Sequence, residues 1–133
     1  MASTTTDRRF GVNSGVAVKA PCKAATTANI TLSGEQTIDG ISCVEGDRVL
    51  VWQQTNAVEN GIWVVDTGSW SRAKDANGRY DFVEGSIVPV NRGSTYEDYV
   101  FKLATTGTII PGTTSLTFEL FTGISNSIRK NFA

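Results

Sequence analysis

Arg48-Val49-Leu50-Val51-Trp52 and Ile62-Trp63-Val64-Val65 are two short runs that, after the opening Arg48, contain no charged or amide side chain. Both are rich in the β-branched and aromatic residues that suit a pleated surface. Successive residues of a strand point to opposite faces, so a strand with one wet face alternates, whereas a run that is apolar throughout has both faces covered. The two runs are therefore expected as central strands of a β-sheet. Gln53–Asn60 joins them, and Asn60-Gly61 is read as the pair whose tolerance of positive φ makes a hairpin turn. Two strands alone are marginal in water, so other strands must pack around them.

Working outward, further short runs of branched and aromatic residues recur between Gly, Asn, Asp and Ser. The candidate strands are Asn29–Leu32, Arg48–Gln53, Gly61–Val65, Trp70–Ala73, Ser86–Val90, Tyr99–Ala104 and Leu116–Phe121. No helical period is present among them, and the pattern is that of an all-β fold: a small antiparallel β-sandwich or a partly open barrel. Turn pairs such as Asp39-Gly40 and Glu45-Gly46 fall where the apolar runs stop. Asp39, Gly40, Gly46, Asp47, Asn60 and Gly61 are thus read as fold-specifying turn residues, the two Asp side chains bonding the backbone two residues on. Pro89 lacks a donor, so Ser86–Val90 is expected at a sheet edge or with a bulge. An edge is where another chain can pair.

The two ends differ from this middle. Residues 1–20 are rich in Ser, Thr, Gly and Asn and read as an extended arm, with Arg8 and Arg9 giving local positive charge and Phe10 and Val12 available to dock. Residues 123–133 place Ile124, Ile128 and Phe132 on one face of a short helix. A helix of that length needs packing, either on the β module or against copies of itself. The module between is expected over 21–122.

Composition narrows the chemistry. The 133 residues fit one domain, with 40% hydrophobic side chains for a core and a formal net charge of −1. That charge gives no field to attract nucleic acid or an anionic membrane. With no histidine at all, Ser-His and Cys-His nucleophile pairs, His-ligated zinc and the imidazole proton shuttle are excluded. Cys22 and Cys43 are too few for a disulfide framework and are expected as free thiols. Of the neighbouring carboxylates, Asp75 and Asp81, Glu97 and Asp98, or Glu45 and Asp47, no spacing selects a glycosidase pair. No enzyme, cofactor or metal is expected.

Read in order, the core contains Ala25-TTANITLSGEQTIDG-Ile41, Glu45-GDRVLVWQQT-Asn56, Glu59-NGIWVVDTGSWSRAKDA-Asn77 and Gly112-TTSLTFELF-Thr122. This succession resembles a module of the tail fibres and tailspikes of tailed bacteriophages. The resemblance implies a non-catalytic structural anchor or adaptor near the N-terminus of a fibre or spike. Such a module joins the receptor-binding apparatus to other tail or baseplate proteins, generally as a homotrimer. It would be made in the host cytoplasm and located in the virion. This chain departs from the pattern at Trp52, where related modules carry a polar or basic residue, and at Trp63 and Cys43.

On this reading Arg8, Arg9, Phe10 and Val12 attach to the tail, and Trp52, Ile124, Ile128 and Phe132 contact other copies. Trp52 also fits ordinary core packing. Trp70 and Arg72, two apart on one strand, are expected on one face, with the guanidinium against an indole or paired with Asp47 or Asp75. The alternative function is a carbohydrate-binding module contacting host surface polysaccharide, which requires an exposed Trp52, Trp63 or Trp70.

Overall fold

The computed structural model describes residues 18–121. Nine strands occur in chain order: β1 (Ala24–Ala25), β2 (Gln36–Ile38), β3 (Ile41–Cys43), β4 (Arg48–Val51), β5 (Gly61–Val64), β6 (Ser71–Arg72), β7 (Ile87–Pro89), β8 (Val100–Leu103) and β9 (Phe118–Leu120). They form a four-stranded sheet in the order β1-β4-β5-β6, a β2-β3 hairpin and a three-stranded β7-β8-β9 sheet. The all-β class expected from the sequence is the class observed. Apart from two single 3-10 turns, Ala57–Glu59 and Lys74–Ala76, no helix occurs among the described residues.

The doubly apolar runs are explained by what lies on each face of the four-stranded sheet. Leu50 and Ile62 point into one core, shared with Val88, Phe101, Leu103, Leu116 and Phe118 of the three-stranded sheet and its approaches. Val49, Val51 and Val65 point into a second core with Ile38, Cys43 and Trp70. The sheet is therefore the middle layer, with the β2-β3 hairpin on one side and β7-β8-β9 on the other. Antiparallel pairing of β4 with β5 sets Val49 opposite Trp63 and Leu50 opposite Ile62, so same-face neighbours match.

The first described residues form a strap that ties the two larger sheets together. Val18 and Cys22 bridge Ile87 and Val90 in parallel, and two residues later β1 pairs in parallel with β4, Ala24 opposite Val49. Main-chain bonds run to both sides: Lys19 N donates to Ile87 O at 2.9 Å and Cys22 N to Pro89 O at 2.9 Å, while Lys23 N donates to Arg48 O at 2.8 Å and Thr26 N to Leu50 O at 2.9 Å. β7 is thus the edge of its own sheet, as Pro89 predicts, but this chain's own strap covers that edge. Parallel pairing is the departure from a purely antiparallel fold. The strap starts inside the segment assigned to the arm, and Lys19 is 2% exposed.

One candidate strand is not a strand. Along Asn29–Leu32 the main chain of Ile30 is held at both polar groups by a buried amide: Ile30 N donates to Gln54 Oε1 and Gln54 Nε2 donates to Ile30 O, each at 2.9 Å. A side chain occupies the place a neighbouring strand would take. Conversely, β1, β2 and β3 were not among the candidates, because two alanines carry little β propensity and three-residue strands are too short to show a period.

Candidate functional site

The candidate residues divide by position. Arg8, Arg9, Phe10 and Val12, with Ile124, Ile128 and Phe132, lie outside the described residues. The turn residues and Trp52 lie within them.

Asp39 and Gly40 form the tip of the β2-β3 hairpin with φ of 50° and 78°, the two positive values that a two-residue I′ hairpin turn requires. The Asp39 carboxylate does not bond the backbone two residues on. It accepts from Thr95 N and Tyr96 N at 3.0 Å each through Oδ2, while Asp39 O accepts from Ser94 N at 2.9 Å. The hairpin tip is so clasped to the 93–96 loop that a Cβ on Gly93 would sit 2.2 Å from Asp39 Oδ2. Asp47, beside Gly46 (φ 95°), does not bond two residues on either but reaches backwards, accepting from Val44 N at 2.8 Å and from Lys23 Nζ at 2.9 Å.

Asn60 and Gly61 do not make a tight turn. Asn60 is extended (φ −64°, ψ 153°) at the end of the Ala57–Glu59 turn, and its buried side chain accepts from Gln54 N at 3.0 Å and donates to Leu116 O at 2.9 Å. The β4-β5 connection is a loop closed by side chains, and Gly61 leaves room for the Arg72 guanidinium.

All three tryptophans are engaged internally. The Trp52 ring lies 4.9 Å from Phe101 and 5.6 Å from Tyr96, and its Nε1 donates to Thr26 O at 2.8 Å. Core packing is the role these contacts serve. Trp70, 5% exposed, donates to Gly34 O at 2.8 Å, and half-buried Trp63 donates to Glu59 O at 2.9 Å. The Arg72 guanidinium lies 4.6 Å from the Trp63 ring centre, not on Trp70, and donates to the carbonyls of Asn60 and Val58. Its cross-strand partner is nearer than the residue two along its own strand. Trp70 is buried, and Trp52 and Trp63 are half-buried with their indole N–H groups bonded to the main chain.

Sequence reasoning missed a charged cluster beneath the strap. Arg48 grips Asp75 with two bonds of 2.8 and 3.1 Å and donates to Ala20 O at 3.1 Å. Burial alone would raise the Asp75 carboxyl, but the hydrogen-bonded guanidinium outweighs it and holds the carboxyl below its usual range. Lys19 Nζ donates to Asp75 O at 2.6 Å and to Asp81 O, above the Phe82 ring at 5.0 Å; burial lowers its pKa. Arg48 opening an otherwise apolar strand was the visible sign of this cluster. Asp81 in turn accepts from Asn77 N and Gly78 N. Of the neighbouring carboxylates, Asp47, Asp75 and Asp81 are occupied in holding loops and strap.

Cys22 and Cys43 are free and buried. Burial pushes the Cys22 thiol up to about 12 and raises Cys43 as well. Among the described residues no group of three or more His, Cys, Asp or Glu side chains is arranged to hold a metal ion. An open cleft of about 450 Å³ lies where the strap, the Val44–Asp47 turn and the loop after β7 meet. No family model, curated protein or solved structure matches the chain.

Proposed function

We propose that this chain is a structural virion protein, an anchor or adaptor module that joins a tail fibre or tailspike to the phage tail through protein–protein contacts and self-association as a trimer. The observation that carries the reading is how the residues of the phage-like motifs are used. Asp39-Gly40 clasps the hairpin, Asp47 fastens the strap, Gln54 and Asn60 close a loop, and Arg72 and Asp75 hold neighbouring segments. Conspicuous polar groups committed to internal bonds support a rigid coupling body in preference to a reactive site. The segments outside 18–121 supply the attachments: Arg8, Arg9, Phe10 and Val12 toward a tail protein, Ile124, Ile128 and Phe132 toward other copies.

Size-exclusion chromatography with light scattering, followed by co-sedimentation with tails of the phage that encodes the chain, tests this. A trimer that binds tails is expected. Removing residues 1–17 should abolish tail binding while leaving the β module folded. A monomer with no affinity for tails would overturn the reading.

A further inference from the structure

The lining of the cleft at the strap includes Lys23, Gly46, Asp47, Arg48, Asn91 and Arg92. Three cations and one carboxylate line it, and because Asp47 pairs with Lys23 and Asp75 with Arg48, one positive charge is left uncompensated, that of Arg92, in a chain whose net charge is −1. Its cations are not equally engaged. Arg48 is locked on Asp75, and Lys23 Nζ bonds Asp47 Oδ2 at 2.9 Å and Ser42 O at 3.0 Å, leaving one of its three donors. The exposed Arg92 side chain makes no hydrogen bond or ion pair with any described residue.

Yet the main chain under Arg92 is fixed. Arg92 N donates to Lys23 O at 3.0 Å and Asn91 N to Cys22 O at 2.9 Å, which anchors the loop on the strap. An open guanidinium fork on an anchored backbone suits a carboxylate, which it can bind through two parallel bonds. Beside it, Asp47 Oδ1 takes none of the bonds that Oδ2 receives from Val44 and Lys23, and so can accept a donor. A carboxylate and an N–H presented together are what an acidic peptide offers. No aromatic ring lines the cleft to stack on a sugar.

We propose that this cleft receives an acidic segment of a protein partner, with an Asp or Glu carboxylate on the Arg92 fork beside Lys23 and a peptide N–H on Asp47. The proposal deepens the adaptor reading and rests on it for the kind of partner. The test is an amide chemical-shift titration of the 15N-labelled full chain in three arms: a glutamate hexapeptide, hexagalacturonate and inorganic phosphate. The peptide should shift Gly46, Asn91 and Arg92 saturably, more strongly than the other two probes. Arg92→Ala should weaken it by about tenfold, as loss of a charge-assisted bond implies. Arg92→Lys, which keeps the charge without the fork, should fall between.

The variant spectra away from the cleft report folding directly. Absence of peptide shifts, shifts unchanged in Arg92→Ala, or a stronger response to galacturonate or phosphate would overturn the proposal. Tail co-sedimentation reads the adaptor function separately, so a chain that binds tails and ignores the peptide loses only the cleft.

Discussion

Arg48 and Asp75 show what single residues do in this molecule. Their forked ion pair sits half-exposed at the start of a buried strand and fixes the Lys74–Ala76 turn to the strap. Because the Asp75 carboxyl is held below its unfolded value, its contribution to stability is present above that value and fades as pH falls through the lowered one. Asp75→Asn should therefore cost about 1 kcal/mol at neutral pH, allowing for solvent screening, and should flatten the acid limb of the stability profile. Urea unfolding midpoints measured from neutral pH downward check both. At this scale the sequence was half-readable. Asp39-Gly40 is legible as a turn, since few other dipeptides tolerate two positive φ values, but not as a hairpin, because the three-residue strands on either side of it show no period. That the same carboxylate would cap Thr95 and Tyr96, far along the chain, has no local signature. Asn60-Gly61 carried the same type of signal and was misleading, because the Asn60 side chain is used for distant bonds and its backbone stays extended.

Among elements, β4 is the one on which the two cores depend. Leu50 is fully buried on one face, and Val49 and Val51 on the other. Leu50→Ala should destabilise by about 2–5 kcal/mol, the usual cost of emptying a buried leucine site. Thr37→Ala, exposed on β2, should change stability by less than about 0.5 kcal/mol. Denaturant midpoints of the two variants give the comparison. The central placement of β4 and β5 was legible because double-sided burial leaves its mark in composition. The strap was not, since Ala24 and Ala25 are small residues that pack by having little side chain. Its weight can be measured by deletion. A chain lacking residues 1–17 should keep the far-ultraviolet and near-ultraviolet circular dichroism of the intact module. One lacking residues 1–25 should lose cooperative unfolding, because both sheets then expose an edge and the first core loses Cys22 and Ala25.

For the whole molecule, the buried thiols give a readout of global opening. Cys22 and Cys43 are each 1% exposed or less, and both thiols are raised by burial, so the thiolate that would react is scarce. A thiol reagent at neutral pH should leave the native protein unmodified for hours and label it at a rate that tracks unfolding as urea is added. Rapid labelling of both cysteines without denaturant would contradict the packing described. The order in which the chain is made adds one consequence of the strap. Cys22 leaves the ribosome long before its bridge partner Val90, and at 5–20 residues per second the interval is about 3–14 s. Its pairings are non-local in the sense that slows folding. A nascent chain halted before Val90 carries an open seam between its layers: one side of the strap has its β4 partner already made, while the other waits for β7 to emerge.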